Sequence, residues 1–134
     1  MKTYQVIGST LKTTSAITSL VSAGSIFHGL RPDGQVLPAI NYYSMVDQPK
    51  NGLLNEIFSV NCRASAPDVS RNIARAVQQT FTGTAYSGMY GTASTFSVMR
   101  ISLANPSRTI PETAERCFNT VVDVRIVCPA DAET

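Results

Sequence analysis

The chain has 134 residues, of which 43% are hydrophobic, and this suits one compact domain that buries roughly two-thirds of the surface its unfolded form exposes. Only 15% of residues are charged and the formal net charge is +2, which excludes a basic field able to wrap nucleic acid and leaves room for at most a weak DNA contact. Ser, Thr, Asn, Gln and Gly stand where a free monomer usually carries Lys and Glu, a composition suited to surfaces that meet other protein.

The N-terminal stretch reads as a broken helix. From Thr3 to Thr13 the residues Tyr4, Ile7 and Leu11 share one helical face, and Gly8 weakens that helix by roughly 1 kcal/mol relative to Ala. Ser15 is placed to cap a second short piece carrying Ile17, Leu20 and Val21, which Gly24 stops. The apolar run from Ala16 to Ala23 is short and broken by hydroxyls, unlike a signal peptide, and no apolar stretch approaches the roughly twenty residues of a membrane span.

A short extended piece at Ile26–Phe27 precedes a turn at Pro32-Asp33-Gly34 and a strand entered near Pro38. Residues 46–55 then read as a hairpin with Pro49 and Asn51-Gly52 as turn signals, and Leu53 and Leu54 either tuck into the core or form a patch for a neighbour. In Glu56–Ala64 the residues Phe58, Val60, Cys62 and Ala64 alternate with Ser59, Asn61 and Arg63, the period of a strand with one face buried and the other wet. A helix over Pro67–Phe81 offers Val69, Ile73, Ala76, Val77, Thr80 and Phe81 to that buried face, with Arg71, Arg75, Gln78 and Gln79 on its opposite side. Ser65 and Asp68 have capping-box spacing, Pro67 sits in the first turn, and Gly83 follows the end.

Residues 82–94 form a loop or irregular edge. Gly83–Gly88 makes a poor phosphate loop, because Met89 and Tyr90 stand where Lys and Ser or Thr belong. Thr95–Leu103 is the third main strand, residues 104–116 are a charged loop with two prolines, and Cys117–Val127 is the last strand. In that strand Phe118, Thr120, Val122, Val124 and Ile126 share a face while Asn119, Asp123 and Arg125 point away, and Ala130–Thr134 is a short acidic tail expected to be mobile.

No chemistry-bearing constellation emerges. His28 is the single histidine and has no nucleophile elbow or local Cys partner. Asp33, Asp47, Asp68 and Glu112 stand in turns or at a cap, where local hydrogen bonding is their ordinary role. The cysteines Cys62, Cys117 and Cys128 lack metal-ligand spacing and read as thiols of a reducing compartment, with Cys62 on the buried phase of its strand. No catalytic residue, metal or cofactor is therefore expected. Arg71 and Arg75, one helical turn apart, suit phosphate or carboxylate contacts beside the plain reading of a solvated helix face.

The segments Ile26-Phe27-His28-Gly29-Leu30-Arg31-Pro32 and Leu37-Pro38-Ala39-Ile40, followed by strand and helix from Phe58 to Phe81, resemble the small tail-completion or tail-terminator proteins of long-tailed bacteriophages. The order of elements in that family covers nearly the whole chain. The expected fold is a single α+β domain over residues 1–134, with a mostly antiparallel four-stranded sheet and two helices packed on one face.

The resemblance implies a structural virion protein, made in the host cytoplasm and placed at the tail neck. It would assemble with itself, as a hexameric ring, on the end of the tail tube, halt tube polymerisation and present a surface to the head connector. DNA passing through the lumen would be contacted weakly, and no membrane is involved. Candidate contact residues are Asp47, Pro49, Lys50, Asn51, Leu53 and Leu54 in the hairpin and Arg108, Ile110, Glu112 and Arg116 in the loop. Arg63, Arg71 and Arg75 are candidates for DNA or subunit contact. The alternatives are a head-closure adaptor, a small nucleic-acid-binding module using those arginines and the tyrosines, and, third, a hydrolase built on His28.

Overall fold

The computed structural model describes residues 3–30, 36–50, 52–82 and 100–129. The expected turn at 32–34, Asn51 in the hairpin turn, the loop over 83–94, the strand residues 95–99 and the tail at 130–134 lie outside them.

Helix α1 (Thr3–Thr13) buries Val6, Ile7 and Leu11, while Tyr4, expected inside, is exposed. Gly8 is also buried, because the Tyr42 hydroxyl lies where a Cβ would sit. A kink at Thr14 leads into α2 (Ser15–Thr18), whose N-cap is Thr14 and not Ser15. The Thr14 hydroxyl donates back to the Thr10 carbonyl at 2.6 Å, closing the end of α1. Ile17 and Val21 enter the core and Leu20 stays 43% exposed. A 3₁₀ turn (Ala23–Ser25) then delivers β1 (Ile26–His28).

Strands β2 (Ala39–Lys50) and β3 (Leu53–Ala64) form one long antiparallel hairpin that turns through Gly52 at φ +77°, a conformation glycine adopts without strain. Both strands run further towards the turn than periodicity indicated. Helix α3 (Pro67–Phe81) follows with the expected bounds, Pro67 in its first turn, and Ile73, Ala74, Ala76, Val77 and Phe81 buried. Its N-cap is Ala66 without a side-chain hydrogen bond, so the Ser65–Asp68 capping box does not form, and Val69, expected inside, is 41% exposed. Then come β4 (Arg100–Leu103), β5 (Arg108–Glu112) and β6 (Cys117–Pro129).

The sheet has six strands in the order β1-β2-β3-β6-β4, with β5 also on β6. The class is α+β as expected, but two details of the expectation change. The sheet is mixed, because β1 runs parallel to β2, and the segment read as the loop 104–116 contains β5, paired antiparallel with β6. Both are short strands at the sheet's edges, stabilised by pairing with a long neighbour rather than by their own pattern.

Helix α1 packs over β1 and β2, and α3 packs over β3 and β6, so both cover one face. Phe58, Val60 and Cys62 of β3 and Val122, Val124 and Ile126 of β6 meet the helices there, with Phe81 of α3 and Ile101 of β4. Within this core Ser70 of α3 bonds Thr120 of β6 at 2.7 Å, a buried polar pair that satisfies both hydroxyls.

Candidate functional site

The face expected to stay wet is the first surprise. Ser59, Asn61, Asn119 and Asp123 are 2–4% exposed and bond to one another and to neighbouring strands. Asn119 Nδ2 donates to Asn61 Oδ1 at 2.8 Å, and Asn61 Nδ2 donates to Ser59 Oγ at 3.3 Å. Asp123 accepts from Asn105 Nδ2 at 2.9 Å and from Arg108 Nη1 at 3.4 Å. Alternation alone reads such Ser and Asn residues as solvent-facing, since partners such as Asn119 for Asn61 lie on other strands.

Arg63 is the hub of this layer. Its Nε and Nη2 donate to the two carboxylate oxygens of Glu112 at 2.7 and 3.3 Å, and its Nη1 donates to Asn41 Oδ1. Asn41 Nδ2 donates in turn to the Gly29 carbonyl at 2.8 Å. One guanidinium thus ties β2, β3 and β5 together in the bidentate geometry that favours Arg over Lys. Burial alone would lower the Arg63 pKa, but the hydrogen bond to Glu112 and the charges of Glu112, Glu115 and Cys117 outweigh it and raise it. Arg63 and Glu112, both candidates for external contact, are therefore spent inside the fold. Arg108 is half spent, because its head pairs with Asp123 while more than half of its side chain stays exposed.

The remaining candidates separate into two surfaces. The first is the distal half of β2, an arm with every residue exposed from Tyr43 to Pro49. A register shift between Ser44 and Val46 leaves Met45 unpaired and re-aims the strand, so Tyr43, Met45 and Val46 are 39%, 43% and 44% exposed beside Asp47. Nearer the turn, Leu54, opposite Pro49, is buried in the core, and Leu53, opposite Lys50, is half-buried. Glu56, opposite Asp47, is buried and accepts a hydrogen bond from Thr3 Oγ1.

The second surface is β5 and the flank of α3 above it. Ile110 is 42% exposed and Arg116 is exposed in the β5–β6 turn at φ +52°. Pro111 in β5 lacks the N–H that further strand pairing needs. Above this edge Arg71 and Arg75, with Gln78, Ser107 and Thr109, line a polar cavity of about 350 Å³. Arg71 Nε donates to Thr109 Oγ1 at 3.3 Å, and Thr109 is bonded at 2.9 Å to the buried Thr120. The spacing of Arg71 and Arg75 was legible in the sequence. The Thr109 hydroxyl that faces them comes from β5, which was not.

Groups with reactive potential are quiet. His28 stacks on Tyr4 at 4.3 Å and lies 5.2 Å from the Tyr42 ring, an aromatic pile that pins α1 to β1 and β2. Burial, then the neighbouring Tyr4, raises the Tyr42 pKa. Burial pushes the Cys62 thiol up to about 12, and the nearby Arg63 lowers it only in part. Glu112, Glu115 and Cys117 place ligand atoms within 4.8 Å of one another, but Glu112 already faces the Arg63 guanidinium, whose charge opposes a cation there.

Together these features define a small α+β domain with a buried, cross-linked polar layer in which Asn119 Oδ1 and Asp123 Oδ1 keep no partner among the described residues, an exposed arm at one edge and an arginine-lined cavity at the other. No protein-family model matches the chain, and no curated protein matches it. Among solved structures, the chain is similar to one in the virion of a native gene transfer agent particle, at 12% identity and a TM-score of 0.63. The match covers 95% of this chain and 93% of that one, so the fold is shared from end to end.

Proposed function

We propose that the chain is a structural protein of a phage-like virion and acts as a tail terminator. Copies assemble as a ring, six-membered by resemblance, on the end of the tail tube, stop its growth and give the head connector a docking surface. The observation that carries this reading is the fold held in common with a virion protein along nearly the whole of both chains. The placement of the arm and the α3–β5 surface at opposite edges supports it, because a ring needs two different patches that match each other. The role is one of assembly, with no catalytic step and no cofactor. The partners are other copies, tube protein and connector, in the neck of the particle, and passing DNA is touched weakly, consistent with a net charge of +2.

The test is tube growth. Purified tube protein polymerises with and without this chain, and tube lengths and ends are read by negative-stain microscopy. Short tubes with ring density at one end are expected. Tubes of unchanged length with bare ends would overturn the proposal.

A further inference from the structure

We propose that the cavity between α3 and β5 receives a carboxylate, and that this carboxylate is Asp47 on the arm of a second copy of the chain. The inference deepens the ring reading, since it names the contact that would close the ring.

The cavity is built for an anionic oxygen group. Arg71 and Arg75 stand one helical turn apart with exposed heads, and neither pairs with a carboxylate among the described residues. The bond from Arg71 to Thr109 holds one guanidinium at the rim. Gln78 and Ser107 add neutral donors around the same space, which at about 350 Å³ admits a carboxylate side chain with its waters. A duplex presents phosphates in rows and is held by a stripe of cations. Among the described residues no such stripe adjoins the cavity, because Arg63 and Arg108 are tied to Glu112 and Asp123, so a single anionic group fits better than a nucleic acid backbone.

Charge and position select the occupant. Asp47 is exposed on the arm, joins no ion pair among the described residues, and is flanked by the exposed Val46 and Met45. It aligns with Glu56 of β3, whereas the cavity residue Thr109 aligns through Thr120 with Cys62. The two sites therefore lie roughly 20 Å apart along the strands and about 14 Å apart across them, at diagonal corners of the sheet. Asp47 cannot reach the cavity of its own chain, so the contact is between copies, and repeated head-to-tail it closes into a ring.

The experiment pairs charge reversals and reads native mass by light scattering across a concentration series. The unaltered chain is expected to self-associate, and Asp47→Arg alone, or Arg71→Glu with Arg75→Glu, to weaken association at least tenfold. An equimolar mixture of the two variants restores it, because in an alternating ring each reversed arm meets a reversed cavity and each native arm a native one. Melting curves check folding, and Arg75→Glu alone replaces the reversed pair if that pair does not fold.

Single reversals that leave the mass unchanged, a mixture that stays dissociated, or an unaltered chain that is monomeric throughout each overturn the inference. So does duplex DNA binding that the Arg71 and Arg75 changes abolish, which would assign the cavity to phosphate. Failure here while tubes are still capped leaves the terminator reading standing, and normal association with tubes ignored removes the terminator reading instead.

Discussion

The substitution Gly8→Ala separates local propensity from packing, because the two predict opposite signs. In an unconstrained helix the change stabilises by roughly 1 kcal/mol. In this fold a Cβ at position 8 would sit 2.1 Å from the Tyr42 hydroxyl oxygen and 2.9 Å from the ring carbon bearing it. Relief needs a ring shift of more than about 1 Å, to restore ordinary contact distances. Tyr42 is only 4% exposed and stacked against His28, so it has nowhere to go without dislodging the pile that holds α1 on the sheet. Overpacking of this kind costs roughly 1–3 kcal/mol, occasionally more, and the rigid surroundings favour the upper part of that range. Net destabilisation of roughly 1–2 kcal/mol is expected, a fall of several degrees in Tm at this size. Denaturant and thermal unfolding read it directly. Adding Tyr42→Phe removes the closest atom and leaves the ring carbon, so the double variant recovers part of the loss and the two changes are non-additive. A Gly8→Ala variant more stable than the original by about 1 kcal/mol would refute the account of α1 packing.

Arg63→Met leaves the Glu112 carboxylate half-buried without its guanidinium and is expected to cost about 2–3 kcal/mol, with faster hydrogen exchange in residues 108–112; Arg63→Lys recovers little of it. Cys62, Cys117 and Cys128 are all buried, so a thiol reagent is expected to label none in the folded protein and all three after unfolding. Because the folded Cys62 pKa is raised from 9.0 to about 12, its contribution is intact below pH 9 and lost as pH rises towards about 12. In that window the unfolded thiol ionises first and stability falls by roughly 1 kcal/mol per pH unit, a slope that Cys62→Ala removes in denaturant titrations. Met45→Lys, at a 43% exposed bulge position, is expected to change stability by no more than about 0.5 kcal/mol yet to weaken self-association, as light scattering would show.

Strong, local periodicity was legible. Helix α3 has its expected bounds, and β6 shows the expected two faces, because 3.6 and 2.0 residue periods with large apolar side chains leave little choice. Edge strands were harder. In β5 the alternation of Arg108, Ile110 and Glu112 with Thr109 and Pro111 is present, but Pro and charge in a segment of five residues read as loop until β6 supplies a partner. The parallel pairing of β1 depends on three residues, too few for a pattern. For the candidate site, the arginine pair on α3 could be read from spacing, whereas the role of Glu112 depends on Arg63, 49 residues away, and no local rule connects them.

The buried polar layer explains where assembly contacts can and cannot be. A sheet face of Ser, Asn, Asp and Arg reads as free for a neighbour, yet Arg63 is already fully engaged with Glu112 and Asn41, and Asn61 and Asn119 with each other. A docking partner there would have to break hydrogen bonds to charged groups, each worth roughly 1.5–3 kcal/mol, before making its own. Exposed apolar residues lie elsewhere: Tyr43, Met45 and Val46 on the arm, Ile110 at the opposite edge, and Leu30 and Val36 between β1 and β2. A protein that ties up most of its broad face with its own bonds and leaves apolar residues exposed at its edges is suited to joining copies side by side. The same bonds hold β5 against the sheet, and so hold Thr109 beneath Arg71 in the cavity that meets the next copy's arm. On this account Arg63→Met weakens association as well as stability, through the loss of β5 rather than through any contact of its own. Association that survives Arg63→Met at full strength in a protein with a loosened β5 would break that link.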